Sequence, residues 1–217
     1  MSKVLKFFKK EAIISLKEGD VMIIKASEVI ASFLCDSGII NKEDIELYRY
    51  GVEILLSTIL GLVLVMLLGV LMKNLVGSII FYIVFVTTRF YTGGYHAETH
   101  FKCKATLLLC CMVNIIFTKY IKSMFVYGLL LLVAGSTILC FTPIENIHKV
   151  LTDELKQKNK TLSIIVVCLH TILSFVFCFI KPSIARCIVF TLLDVAILMV
   201  ITKIQKRRSE QWIIKKY

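Results

Sequence analysis

Long uncharged stretches alternate along this chain with short segments that carry its charges. An apolar helix needs about 20 residues to cross about 30 Å of hydrocarbon, and three of the stretches have roughly that length. The pattern predicts an all-α polytopic membrane protein with about six transmembrane helices, over residues 54–72, 74–88, 105–118, 123–144, 161–180 and 187–202. The second and third stretches have only 15 and 14 residues. They are therefore either short crossings extended by flanking residues or a re-entrant hairpin.

Residues 1–50 instead mix charged and hydrophobic residues. Apolar side chains recur there at three- and four-residue steps, which predicts an amphipathic helix: Val4, Leu5, Phe8, Ala12 and Leu16. This helix either lies in the lipid interface, with its lysines towards anionic headgroups, or packs on the bundle in water. Residues 21–50 predict one or two further amphipathic helices, with a break at 36–38. No uninterrupted apolar core is present, so no cleavable signal peptide is predicted.

The composition indicates the class of protein, and the distribution of basic residues indicates its orientation in the membrane. A hydrophobic content of 58%, a mean hydropathy of +0.83 and only two prolines are typical of an integral membrane protein. Basic residues are retained on the cytoplasmic side of a membrane. With both termini inside, the inner segments hold 21 of the 26 lysines and arginines and the outer loops hold five. The net charge of +11 is thus explained by basic segments at the cytoplasmic surface of the membrane, beside anionic lipid headgroups, and no nucleic-acid partner is predicted.

We expect three regions. Residues 1–50 form interfacial helices, residues 51–203 form the transmembrane domain, and residues 204–217 form a basic cytoplasmic tail.

The polar stretch TTRFYTGGYHAETHFKCK, residues 87–104, interrupts the apolar pattern on the predicted cytoplasmic side. Its Cys103 lies between Lys102 and Lys104, in a compartment where thiols stay reduced, and neighbouring positive charge favours the nucleophilic thiolate. The other cysteines sit in or beside apolar stretches or in the amphipathic region, where cysteine behaves as a small hydrophobic residue. Cys103 is therefore the candidate nucleophile.

Two histidines compete to be the base for this thiol. In a straight helix His96 would lie about 10 Å from Cys103 along the axis, whereas His100 would be one turn away. Gly93 and Gly94 permit a bend that would bring His96 closer, but spacing does not choose between the histidines.

Metal binding is a further interpretation, because His96, His100 and Cys103 at i, i+4 and i+7 offer three nitrogen or sulfur ligands on one helix face. Glu98 lies between the histidines on the opposite face and is a candidate to orient one of them. A structural or transport role also remains compatible with the spacing.

Arg89-x4-Gly93-Gly94-Tyr95-His96-Ala97, followed by Cys103, resembles the accessory gene regulator B (AgrB) family of Gram-positive bacteria. These are membrane peptidases that process the precursor of a cyclic quorum-sensing peptide. A second landmark, Pro143-Ile144-Glu145-Asn146 before a lysine-rich loop, is also similar to the family. The family often continues with Asn-Lys-Pro, whereas this chain continues with Ile147-His148-Lys149.

The resemblance implies that Cys103 is the nucleophile and His96 its base, supported by Arg89 and Gly94. It implies neither a metal nor another cofactor. The substrate would be an AgrD-like propeptide, cleaved through an acyl-enzyme thioester that an internal cysteine or serine then closes into a thiolactone or lactone. The location would be the cell membrane of a Gram-positive bacterium, with the site on the cytoplasmic side.

Other questions stay open at this point. A small peptide transporter or exporter, or a metal-dependent membrane protease, is the alternative function. His170 and Asp194 lie at mid-membrane positions, where ionisable groups usually face a partner or a cavity. Asp194 either pairs with Arg89 or Arg186 or lines the path of the peptide. The oligomeric state is not determined, and a homodimer is one option.

Overall fold

The structure is a computed structural model that describes residues 21–93, 100–142, 144 and 153–214. Helix α1 covers residues 21–36, and a 3-10 turn follows at Lys42–Asp44. The remaining helices are α2 (Ile45–Leu71), α3 (Leu75–Thr92), α4 (His100–Tyr120), α5 (Met124–Phe141), α6 (Asp153–Ile180) and α7 (Pro182–Ile214). The amphipathic helix predicted near the start of the chain lies outside the described residues.

Helix ends fall where the local sequence favours them. The predicted break after α1 is present: Gly38 adopts φ 69°, a left-handed conformation that glycine takes without a Cβ clash. The side chain of Asn74 accepts a hydrogen bond of 3.2 Å from the Gly77 N–H and so caps the start of α3. Lys181 alone separates α6 from α7, and Pro182 begins α7, a position where its missing N–H is not needed.

Six helices in the described part of the chain are long and apolar enough to cross a membrane, which confirms the prediction of an all-α polytopic membrane protein. The second and third candidate spans are Leu75–Thr92 and Lys102–Tyr120, with 18 and 19 residues. They are longer than the uncharged stretches because each helix takes in residues of the polar stretch. At about 1.5 Å per residue, each has nearly the length of a full crossing.

The structure groups the chain into two compact units. The first contains α1, α2 as far as residue 64, and the beginning of α4 as far as residue 107. Within it, Arg49 of α2 forms exposed ion pairs with Glu28 of α1 at 3.4 Å and with Glu46 at 2.5 Å. Exposed pairs of this kind add little stability.

The second unit is organised around α7, which packs against α3, α5 and α6. Of the candidate spans, α7 has 61% of its apolar window buried, and no other described span exceeds 39%. Fully buried side chains from three helices meet there: Phe81 of α3, Ile138 of α5, and Leu192 and Met199 of α7. The outward faces of α5 and α6 expose large apolar residues, as expected for surfaces whose solvent is lipid. The division into residues 1–50, 51–203 and 204–217 stays a prediction.

Candidate active site

Cys103 lies in the first turn of α4 and is partly exposed. Lys102 beside it is exposed, and Lys104 is partly buried. His100 is three residues earlier in the same helix. The other members of the predicted site, Gly94, His96 and Glu98, lie outside the described residues, so the bend that would bring His96 to the thiol stays a prediction.

Arg89 occupies the last turn of α3 and is half-buried. Its guanidinium carbon lies 5.5 Å from the centroid of the Phe85 ring, a distance at which a cation is attracted to the ring face. Phe85 itself is buried. A basic side chain at this position also interacts favourably with the carbonyl end of the helix.

Gly93, which follows α3, forms a backbone bridge with Ile144. The N–H of Ile144 donates a hydrogen bond of 3.0 Å to the carbonyl oxygen of Thr92. Gly93 adopts φ 69°, and a Cβ built on it would collide with the carbonyl oxygen of Ile144. The structure thus joins the polar stretch to the second sequence landmark through a contact that needs glycine.

His170 of α6 is buried, and its ring lies beside two consecutive threonines of α3. Its Nδ1 is 3.1 Å from the Thr88 hydroxyl and its Nε2 is 3.4 Å from the Thr87 hydroxyl. These threonines are the first two residues of the polar stretch. His170 therefore faces hydrogen-bonding partners and ties α6 to the end of α3 that leads into the candidate site.

Asp194 lies midway along α7. Among the described residues, no ion pair joins it to Arg89 or to Arg186, the two partners considered from the sequence. Its buried Oδ2 has no hydrogen-bond partner among the described residues.

Asn114 links α4 to α7. Its Nδ2 donates to the Cys187 carbonyl oxygen at 3.1 Å and to the Thr191 hydroxyl at 3.0 Å. Arg186 adds a second link, from its Nε to the Thr118 carbonyl oxygen at 3.2 Å. Asn114 is 1% exposed, so these bonds form away from water, where an unmade bond would leave polar groups unsatisfied.

Comparison with known proteins supplies the family. The model of the family described as Accessory gene regulator B matches residues 27–203. This chain belongs to the accessory gene regulator B family. It is similar to "Putative AgrB-like protein 2" of Clostridium perfringens (strain 13 / Type A), with 27% identity over 149 residues, 64% of this chain and 68% of that protein. No solved structure matches.

Membership of the AgrB family confirms the resemblance inferred from the polar stretch. The chain is a multi-pass membrane protein that takes part in processing accessory gene regulator quorum-sensing peptides, and its partner in general terms is an AgrD-like propeptide.

The metal interpretation is not tested for this AgrB family member. Among the described residues, no group of three His, Cys, Asp or Glu side chains could hold a metal ion. The set proposed from spacing includes His96, however, which lies outside them.

Sequence reasoning singled out Gly94 as a supporting residue and treated Gly93 only as part of a turn. It did not find the contact between Gly93 and Ile144 or the link between His170 and Thr88. One sequence signal could have suggested the contact between Gly93 and Ile144: the two landmarks, residues 89–103 and 143–146, lie on the same predicted side of the membrane.

Proposed function

We propose that this AgrB family member is a membrane-embedded cysteine endopeptidase that uses Cys103 to cleave an AgrD-like propeptide. One observation carries the proposal: a partly exposed thiol stands in the first turn of α4, inside a stretch that resembles the family motif. Cys111 and Cys187 are buried in the helical core and serve packing.

The proposed reaction has two acyl transfers. The Cys103 thiolate attacks the carbonyl carbon of one peptide bond, a carbon–sulfur bond forms, and the amine of the C-terminal tail leaves with a proton from the imidazolium of His96. An internal cysteine or serine of the retained peptide then gives its proton to the imidazole and attacks the thioester. The ring closes and Cys103 is released as thiolate. The thioester keeps much of the acyl activation, and a held internal nucleophile has a high effective molarity.

Water must be kept from the thioester, since hydrolysis would yield a linear product. A site at the end of membrane-crossing helices supports this by limiting access of water. The bridge between Gly93 and Ile144 supports the proposed peptidase function because it fixes the backbone just before Gly94 and His96 against a second segment. Arg89 and Gly94 are proposed to support the site, with His100 and Glu98 as further candidates.

We place the site and both termini on the cytoplasmic side. The charge count favours this orientation, and substrates of the family have acidic C-terminal tails that basic segments would attract. The first turns of α6 carry Lys156, Lys158 and Lys160 at the end predicted to face the cytoplasm. At the same end, Lys203 lies over the Phe141 ring, with its Nζ 3.9 Å from the ring centroid.

The test compares Cys103→Ala and Cys103→Ser with Cys110→Ala in reconstituted membranes. Cys110 lies on the same helix and is also half-buried, so its substitution controls for loss of any α4 thiol. We expect both Cys103 variants to insert normally and to lose propeptide cleavage, whereas Cys110→Ala keeps it. Mass spectrometry should find the retained peptide attached to Cys103 in the unsubstituted protein. Full cleavage by Cys103→Ala would eliminate the acyl-enzyme mechanism.

The same preparation distinguishes the alternatives. Cleavage is expected to survive strong chelation, whereas loss with EDTA and recovery with zinc would support a metal-dependent protease. A transporter would move the peptide across the membrane in the Cys103→Ala variant without cutting it.

A further inference from the structure

A cavity of about 450 Å³ opens between α5, α6 and α7, where α5 and α7 begin and α6 ends. Its walls are mostly apolar, with Gly128 on α5, Phe175 and Cys178 on α6, and Val189 and Arg186 on α7. A volume of this size is typical of a site for a small ligand.

Side-chain contacts hold the walls of this cavity together. The Cys178 thiol lies 3.5 Å from the Met124 sulfur and joins α6 to α5. The Ser174 hydroxyl donates to the Ala185 carbonyl oxygen at 3.3 Å and joins α6 to α7. The edge of Tyr127 packs on Phe190 with ring centroids 6.0 Å apart and joins α5 to α7. Contacts between protein side chains therefore set the positions of the three walls.

The surroundings of the cavity favour hydrocarbon as an occupant. The three helices are candidate membrane spans, and large apolar side chains are exposed at this end of them: Phe125 at 82%, Phe179 at 76% and Ile180 at 71%. In a bilayer such surfaces face acyl chains, which are the most abundant apolar molecules that reach the opening.

Charge at the same end favours an anionic headgroup. Lys122 precedes α5, Lys181 separates α6 from α7, and Arg186 lines the cavity itself. The sequence has no aspartate or glutamate from residue 99 to 144 or from 155 to 193, so no carboxylate in these segments neutralises the cations. Arg186 uses its Nε to donate to Thr118, and its two terminal nitrogens present the paired geometry that binds phosphate.

We propose that this cavity binds one acyl chain of an anionic phospholipid, whose phosphate contacts Arg186. This inference does not depend on the catalytic residues. The bound lipid would fill the space between α5, α6 and α7 and hold α7, the most buried span, in place.

Gly128 and Gly135 provide a matched pair for the test. Both lie on α5, and a Cβ added to either meets no atom within 4 Å, so the first atom of a larger side chain has room at both positions. Only Gly128 lines the cavity. Leucine at the first position should occupy space needed by the acyl chain, whereas leucine at the second should not.

The experiment uses the full chain, purified and delipidated in detergent, with phosphatidylglycerol and phosphatidylcholine of the same acyl composition as probes. Native mass spectrometry measures how much of each lipid is retained. We expect about tenfold preference for phosphatidylglycerol, because both lipids carry the phosphate but only phosphatidylcholine adds a choline cation, which cancels the net charge of the headgroup and is repelled by Arg186. Gly128→Leu should lower the retention of both lipids at least fivefold, while Gly135→Leu retains them. Arg186→Gln should remove the preference, Arg186→Lys should restore part of it, and Arg207→Gln at the other end of α7 should leave it unchanged.

A photoreactive acyl chain on phosphatidylglycerol gives a measurement that needs no variant, and it should label cavity residues of α5, α6 or α7. Millimolar inorganic phosphate should not displace the lipid, because the acyl chain supplies most of the binding. Equal retention by Gly128→Leu and Gly135→Leu, or labelling confined to other helices, would overturn the proposal. Displacement of the lipid by the propeptide would replace it with a peptide site.

Discussion

The carbonyl oxygen of Ile144 occupies the space that a side chain on Gly93 would need. These residues are 51 positions apart (144 − 93), and each belongs to one of the two sequence landmarks of the family resemblance. The Ile144 N–H bonds to the residue before the glycine, so the backbone is held on both sides of the contact. The entry to the proposed catalytic stretch is therefore fixed by backbone atoms.

Gly93→Ala is expected to damage both stability and cleavage. The left-handed φ of 69° and the collision with Ile144 act together, and strained backbone of this kind costs about 1–3 kcal/mol. We expect a lower thermal unfolding midpoint and at least a tenfold loss of propeptide cleavage. The control is Gly51→Ala, where an added Cβ meets nothing within 4 Å. Equal behaviour of the two variants would show that the bridge is not required.

His96→Ala is expected to lose at least two orders of magnitude in cleavage rate. A positioned base contributes about 10² to 10⁴ in rate, because a free thiol with a pKa near 8.5 is only a few per cent thiolate at neutral pH. Part of the loss should be recovered as the pH is raised towards 9, where more thiolate forms without a base. The measurement is cleavage rate against pH in reconstituted membranes.

His100→Ala is the matched control for that prediction, since His100 and Cys103 are three residues apart in α4. We expect a loss of less than about tenfold, the scale of a local packing change. If His100→Ala loses more of the cleavage rate than His96→Ala and regains more of it at high pH, then His100 is the base and no bend is needed.

Asn114→Leu is expected to destabilise the bundle by about 1–2 kcal/mol. The substitution removes the two hydrogen bonds that the Asn114 amide donates to α7 at a site hidden from water, and hydrogen bonds between membrane helices contribute at this scale. Thiol labelling of buried Cys187 during thermal unfolding in detergent measures the effect. Thr161→Val is the control, since its exposed hydroxyl bonds only to Gln157 of its own helix. No difference between the two variants would contradict a stabilising role for Asn114.

Labelling of intact cells is expected to place the two ends of α4 on opposite sides of the membrane. In chains that retain a single cysteine, a membrane-impermeant thiol reagent should label Lys122→Cys but not Cys103. The physical reason is the charge asymmetry, 21 basic residues against five. Labelling of Cys103 from outside would reverse the orientation.

The sequence predicts the helical class and all six spans because uninterrupted apolar runs are a local signal. The predicted lengths of α3 and α4 are too short, since each predicted span ends at a charged residue. Arg89 and Lys102 instead continue their helices at the membrane rim, where long basic side chains keep their charge in water. The break at Gly38 was predictable for a similar reason, as glycine is the common residue just after a helix.

Only the site residues that belong to a recognisable sequence motif were predictable. Cys103 stands out by its neighbours, but the pairings of Gly93 with Ile144 and of Thr88 with His170 join residues 51 and 82 positions apart. No local pattern encodes such contacts, because they depend on how the helices pack. Asp194 shows the same limit: its charge suggested either an arginine partner or a place along the peptide path, and the described residues form no ion pair with it.

The burial of α7 has a consequence for biosynthesis. The ribosome completes α3, α5 and α6 before the helix on which they pack. Until α7 enters the membrane, the faces of α3, α5 and α6 that pack on it have no partner, so this unit cannot finish folding before α7 is made. A translation arrest before residue 182 would therefore yield inserted helices that lack the partner on which they pack.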